Sequence, residues 1–215
     1  ARYIRLENSS EYQLNPNDTA FGLETPLPNH KDFLVNLVST LCYGMSGDPT
    51  IKNQLPGLVS TIVDKTFAAY ASKENGGDRP RQYYPNANAL VDQKVHEHGI
   101  EIDDLTSWHE LRDALFDAGE VRAALICHRK AMPILSDMIA IASLDEIRKE
   151  YPDEHNGTLL LDMFARSIRE AVSMFPILQG ETKFELGESR VISLDLEDLV
   201  PKTNSDQALW QAAIA

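Results

Sequence analysis

The chain has 215 residues, of which 43% are hydrophobic and 25% are charged, and its formal net charge is -13 at pH 7. The hydrophobic share is enough to bury the core of one large domain and excludes a disordered chain. The negative charge, with no run of Lys or Arg, argues against binding to a phosphate backbone. No stretch approaches the roughly 20 apolar residues of a membrane span, and no signal peptide opens the chain, so we expect a cytoplasmic protein.

The N-terminal part begins with a weak predicted strand, Tyr3 to Leu6, and a turn over Tyr12 to Thr19. Apolar residues at helical spacing then predict a helix from about Lys31 to Cys42, which Gly44 to Pro49 ends. A second helix is predicted from about Pro56 to Tyr70. The polar, glycine-rich stretch from Lys73 to Pro80 is the strongest candidate for a loop exposed to proteolysis.

From Asn86 to Phe175 the apolar periodicity is helical almost throughout, and residue types that cap helices set the predicted boundaries. Asn86 or Asn88 can begin a helix that ends at Gly99, and Ser107 with Glu110 has the spacing of a capping box. We predict the same box for Ser143 and Glu146. Further helices are predicted over Glu120 to Met132 and over Ile134 to Ala142, with Pro133 in the first turn. A short helix after Ser143 is predicted to end near Tyr151, and a long helix is predicted over Thr158 to Phe175.

The C-terminal part carries an apolar run from Val191 to Leu196 that predicts a strand buried on both faces. Phe184 to Leu186 is a shorter candidate strand. We therefore predict a mainly α fold with a small β-sheet (α+β), built from Tyr3 to Leu6 and Phe184 to Leu196, with no strand between Asn86 and Ser173. Ser205 can cap a further helix, and because the chain starts and stops inside predicted elements we expect it to be part of a longer protein.

No residue pattern nominates a catalytic, cofactor-binding or metal-binding residue. Asp195 and Glu197 follow a strand as in a Walker B motif, but no G-x-x-x-x-G-K-[ST] accompanies them, so an ordinary strand end is the favoured interpretation. His96 and His98, like Cys127 and His128, are spaced so that two helical side chains diverge. The remaining histidines, His30, His109 and His155, are scattered. Cys42 and Cys127 lie in apolar helical patterns and are predicted to be free thiols of a reducing compartment.

Several short stretches, in order along the chain, resemble the central region of one group of secretion and conjugation ATPases, the IcmB/DotO and plasmid TraU group, which is related to the VirB-type motor. The most specific match is Phe184 to Asp195, and Tyr12 to Thr19 resembles the N-P-x-D-T segment that follows the P-loop. The others are Pro26 to Pro28 with Phe33 and Leu34, Gly57 to Val59, Val91 and Asp92, His98 to Ile100, Asp113 to Phe116, and Phe175 to Leu178.

This resemblance implies that residues 1–30 and 176–215 are the edge of a RecA-like P-loop domain and that residues 31–175 are a large helical insertion. The Walker A and Walker B motifs of such a motor would lie outside the chain. The fragment would then be non-catalytic and hold no cofactor, while the longer protein would bind ATP and Mg²⁺ and hydrolyse ATP.

The resemblance also implies a hexamer that docks at the cytoplasmic face of the inner membrane, where it energises assembly of a type IV secretion or conjugation channel or transfer of its substrate. The expected partners are other subunits of that machine, with no direct contact to nucleic acid. We expect residues 86–175 to face a partner. An equally open alternative is that the helices of this region cover the sheet or fill a subunit interface. The alternative function is a freestanding helical protein-interaction domain.

Overall fold

The computed structural model describes residues 2–5, 9, 11, 13–46, 54–155, 157–183 and 192–195. Most of this part of the chain is helical, which confirms the mainly α prediction. The helices are α1 (Pro28–Ser46), α2 (Leu55–Tyr70), α3 (Ala89–Glu97), α4 (Trp108–Asp117), α5 (Val121–Ala131), α6 (Asp137–Ala142), α7 (Asp145–Glu150) and α8 (Leu160–Met174). Short 3-10 helices cover Lys73–Asn75 and Pro176–Leu178.

Four short strands form two pairs. β1 (Arg2–Arg5) lies parallel to β4 (Ile192–Asp195), with Arg2 opposite Ile192, and β2 (Glu154–His155) is antiparallel to β3 (Thr158–Leu159). The second pair lies where we predicted no strand, so that prediction is wrong: the chain between α7 and α8 reverses through Gly157, whose φ of +75° suits a tight turn. The candidate strand Phe184 to Leu186, the ends of the predicted C-terminal strand at Val191 and Leu196, and the helix after Ser205 lie outside the described residues.

The chain divides into two compact units. The first contains Ala1–Pro16, Leu27–Val63 and Ile134–Ala215, and the second contains Asn17–Pro26 and Asp64–Pro133. α2 contributes its residues up to Val63 to the first unit and its later residues to the second. The RecA-like edge at 1–30 and 176–215, with the insertion at 31–175, remains a prediction.

In the first unit α1 packs against α8, and α6 covers α8 as well. Pro28 is the first residue of α1, where its missing N–H would be unpaired in any case, so the helix begins before the predicted Lys31. The Ser167 hydroxyl of α8 donates to the Cys42 carbonyl of α1 inside this interface. The interface is otherwise apolar and fully buried, with Leu34, Val38, Leu41, Cys42, Leu161, Phe164, Ile168 and Ala171.

In the second unit α5 packs against both α4 and α3. Asn88 caps α3 by accepting from the backbone N–H groups of Leu90 and Val91, while Asn86 has a φ of +66° in the turn before it. The capping box of Ser107 and Glu110 is present at the start of α4, as predicted. These caps set the ends of helices whose buried faces form one core: Val91, Val95, Trp108, Leu111, Leu115, Ala123, Ala124 and Cys127.

Two predicted helix starts are wrong. α6 begins at Asp137 and not at Ile134, because the Asp137 carboxylate accepts from the Ile134 N–H and holds a turn ahead of the helix. α7 has no side-chain cap: Ser143 closes α6 instead, and its hydroxyl donates to the Ile139 carbonyl. Among the described residues, no helix is both long enough and apolar enough to cross a membrane.

Candidate protein-docking surface

A rigid turn in the second unit presents two apolar side chains to solvent. The Leu23 N–H donates to the Ala20 carbonyl at 2.9 Å, and Gly22 has a φ of +84°, as the third position of a type II turn requires. Phe21 and Leu23 are 37% and 36% exposed, in a turn with a hydrogen-bonded polar residue on each side. The turn is therefore held in place while its apolar side chains remain accessible.

Glu24 is the anchor on the C-terminal side of the turn. Its side chain is only 8% exposed, and its carboxylate accepts from the Ser72 N–H at 2.8 Å, from Asn75 Nδ2 at 2.9 Å and from Arg112 Nη2 at 3.1 Å. Burial alone would raise the pKa of Glu24, but the hydrogen bonds from Asn75 and Ser72 outweigh it and lower the pKa to about 2. Glu24 is thus ionised and joins the turn to the 3-10 helix and to α4.

His109 completes this buried network as a neutral imidazole. Its Nε2 lies 3.0 Å from the Tyr70 carbonyl and donates to it, so Nδ1 is free to accept from Arg112 Nη1 at 3.1 Å. Burial lowers the pKa of His109 and favours the neutral form. The other guanidinium contacts of Arg112 are with the Asp113 carboxylate, at 2.7 and 2.9 Å. Each ring nitrogen and each charge has a partner, so this cluster is built to position α4.

The anchor on the N-terminal side of the turn is Thr19. Its hydroxyl donates to the Leu23 carbonyl across the turn, and its own carbonyl accepts from His128 Nε2 at 3.2 Å. Burial lowers the pKa of His128 and keeps it neutral, and its Nδ1 has no hydrogen-bond partner among the described residues. Asn17, fully buried, donates through Nδ2 to the Pro133 carbonyl at 3.1 Å. The Asn15 to Thr19 motif therefore serves the fold here.

Phe21 of the turn meets Phe116 near the C-terminal end of α4. The ring centroids are 5.2 Å apart with the planes tilted by 44°, and Phe21 also contacts the His128 ring at 5.6 Å. Phe116 is 49% exposed, more than either apolar residue of the turn. We call the surface formed by Phe21, Leu23 and Phe116 the aromatic patch. Such a cluster, rigidly held and open to solvent, has the make-up of a protein-binding hot spot.

The chain segment that contains α4 is acidic in sequence. Between Glu97 and Glu120 it carries eight carboxylates and one guanidinium group, Arg112, which is buried. Several of these carboxylates are paired: Glu97 with Lys94 at 2.8 Å, Asp113 with Arg112, and Glu110 with Lys73 at 3.8 Å. Asp117, at the end of α4, is exposed, and a basic group of a partner would complement it.

A groove of about 350 Å³ lies on the same unit and is lined by Glu101, Asp103, Leu105 and Glu110, with Lys73 at one side. Lys73 Nζ lies 3.2 Å from the Leu105 carbonyl and 3.8 Å from Glu110. Asp103 is also engaged, because it accepts from the Leu105 N–H and from the Thr106 hydroxyl, which lowers its pKa. Much of the charge in the groove is thus paired internally.

The structure separates the residues that the sequence offered as possible ligands. His96 is exposed on α3, and His98 follows the helix and lies 3.0 Å from Glu120. Cys127 and Cys42 are buried free thiols, as predicted, and burial raises the pKa of both, that of Cys127 to about 12. His30 Nε2 contacts the Pro16 carbonyl at 2.9 Å.

Across the described part of the chain, no group of three metal-ligating side chains comes together. The side chains of His155 and Asp195 lie outside the description, as does Glu197.

Sequence reasoning missed the residues that build the docking surface. Glu24 and Arg112 are 88 positions apart, so no local pattern joins them. The one available signal was the Phe-Gly-Leu run at Phe21 to Leu23, in which a glycine between two apolar residues indicates a turn that displays them. Comparison of the chain with protein-family models, with curated proteins and with solved structures finds no match.

Proposed function

We propose that this chain is the central part of a type IV secretion or conjugation ATPase and that its second unit docks a protein partner of the secretion machine. The observation that carries the docking role is the aromatic patch, which lies next to Asp117 at the C-terminal end of α4. A nucleotide-binding core needs no exposed phenylalanine pair for its chemistry. Aromatic side chains are, in contrast, enriched in protein interfaces. The motor assignment is supported by the short stretches that resemble secretion and conjugation ATPases in the same order along the chain.

The parallel pairing of β1 with β4 supports the same proposal. Parallel strands need a crossover connection, and in RecA-like domains helical segments connect neighbouring parallel strands. A chain whose end strands pair in parallel, with helices between them, suits an insertion between two such strands.

The reading frame of the native gene tests the motor assignment. We expect a Walker A motif upstream of Ala1 and a Walker B motif downstream of Ala215. The purified 215-residue chain is expected not to bind ATP, and the complete protein to bind and hydrolyse it. A frame confined to these residues would favour the alternative, a freestanding interaction domain, and binding of Mg²⁺-ATP by the 215-residue chain would contradict the proposal.

A further inference from the structure

We infer that the aromatic patch binds a basic segment of a partner protein, in which an apolar side chain packs on Phe21 and Phe116 while Lys or Arg residues face Asp117. This inference rests on the docking role proposed above and does not depend on the motor assignment. The three apolar members come from two separate stretches of chain, and the network around Glu24 and Arg112 fixes them relative to one another before a partner arrives. Binding therefore loses little conformational entropy at the patch.

The charge of the partner follows from the end of α4. Asp117 is the last residue of the helix, where the carbonyl groups carry partial negative charge, and the last turn contains no basic residue. A carboxylate at this end of a helix is unfavourable because it faces those carbonyl groups. Asp117 forms no ion pair within the described chain. Asp113, one turn earlier, pairs with the buried Arg112. A cation of the partner would satisfy both the carboxylate and the helix end.

Other possible occupants of the patch are less compatible with the negative charge of Asp117. A second copy of the chain, docked patch to patch, would bring two Asp117 carboxylates together, and such like-charge contacts oppose association. Nucleic acid and anionic lipid surfaces carry the same sign of charge as Asp117 beside the patch. The nearby groove is less suited to a basic segment because Lys73 already lies against Glu110.

Fluorescence anisotropy with three labelled peptides tests the inference on the 215-residue chain. The first peptide places Leu and Lys at helical spacing, the second replaces each Leu with Ser, and the third replaces each Lys with Glu. We expect the first to bind at low salt, more weakly as salt rises, and the other two at least about tenfold more weakly, since apolar contact and charge are both needed.

Single substitutions at exposed positions then locate the site without disturbing the core. Phe116→Ala should weaken binding about tenfold or more, and Asp117→Lys should weaken it and reduce its salt dependence. Tyr84 is an aromatic residue of the same unit that lies outside the patch and is 57% exposed, against 49% for Phe116. Tyr84→Ala is therefore the matched control and should bind as the unchanged chain does. Equal unfolding midpoints for these variants show that any loss is local.

Three results would overturn the inference. The first is equal binding of the Lys and Glu peptides, or no binding of the Lys peptide at millimolar concentration. The second is a loss with Leu105→Ala but none with Phe116→Ala, which would assign the groove instead. The third is concentration-dependent dimerisation that Phe116→Ala abolishes, because a second copy would then cover the patch. None of these results bears on whether the native gene encodes a motor.

Discussion

Glu24 connects three separate stretches of the second unit through one buried carboxylate. Replacing it with Gln keeps the shape but removes the charge that Arg112 faces, and breaking a buried pair of this kind costs about 3 kcal/mol. We expect Glu24→Gln to lower the thermal midpoint by roughly 6 to 12 °C. The exposed Glu74→Gln is the control and should change it by less than about 2 °C. An unchanged midpoint for Glu24→Gln would show that the network adds no stability.

Two buried histidines make the stability of the chain depend on pH. Burial lowers the pKa of His109 and of His128, so the unfolded chain takes up protons first once the pH falls below about 6.5. Stability is therefore complete above that value and declines below it. Glu24, with a pKa of about 2 in the folded chain against 4.5 ordinarily, adds a second decline below about pH 4.5.

Urea unfolding at about pH 7.5 and about pH 5.5 measures the histidine contribution. We expect a lower midpoint at the acidic pH, and His128→Gln should reduce the difference because its imidazole no longer titrates. The exposed His96→Gln should leave the difference unchanged. A midpoint that is constant, or higher at the acidic pH, would contradict the assignment of neutral buried imidazoles.

At the scale of secondary-structure elements, two identical sequence spacings have different outcomes. Ser107 accepts from the Glu110 N–H, and Glu110 accepts from the Ser107 N–H at 2.6 Å, which is a complete capping box. Ser143 has Glu146 at the same spacing, yet it is the C-terminal cap of α6 and does not cap α7. The sequence alone does not distinguish them, because the end of one helix and the start of the next compete for the same serine.

Ser107 and Ser143 give a matched prediction. Ser107→Ala should lower the free energy of unfolding by about 1 kcal/mol because it leaves an N–H group of α4 without its partner. Ser143→Ala should change it by less than about 0.5 kcal/mol. Urea unfolding followed by circular dichroism measures both, and equal effects of the two substitutions would contradict this account of the caps.

Two glycines provide a second matched pair. A Cβ at Gly77 would lie 1.9 Å from the Ala71 carbonyl oxygen, so the backbone of the Lys73 to Pro80 stretch would have to move. A Cβ at Gly57, in the first turn of α2, meets nothing within 4 Å. We expect Gly77→Ala to destabilise the chain by about 1 kcal/mol or more and Gly57→Ala to stabilise it by about 0.5 kcal/mol. The opposite signs would be seen directly in the urea midpoints, and a neutral Gly77→Ala would contradict the close approach.

The Lys73 to Pro80 stretch is mostly exposed turn, in keeping with the predicted loop, and its exposure to proteolysis stays a prediction. The structure adds that Ser72 caps a 3-10 helix there and that the Arg79 N–H donates to the Ala69 carbonyl at 2.8 Å. Composition reports the lack of apolar residues in such a stretch but not the backbone hydrogen bonds that hold it.

For the whole molecule, helical periodicity predicts α1 to α5 and α8 because each buries an apolar stripe. It cannot predict the docking surface, which depends on contacts between distant residues and on apolar side chains that remain exposed. Glu110 is exposed and acidic, but it caps α4, so reversing its charge would confuse docking with folding. Asp117 is exposed and has no such role.

The proposed docking role of the second unit, separate from ATP chemistry, is tested by measuring substrate transfer and ATP hydrolysis together in the complete protein. The proteins compared are the unchanged protein, Asp117→Lys, Phe116→Ala and the control Tyr84→Ala. We expect Asp117→Lys and Phe116→Ala to reduce transfer about tenfold or more while hydrolysis stays within about twofold. Full transfer by both variants, or loss of hydrolysis together with transfer, would contradict it.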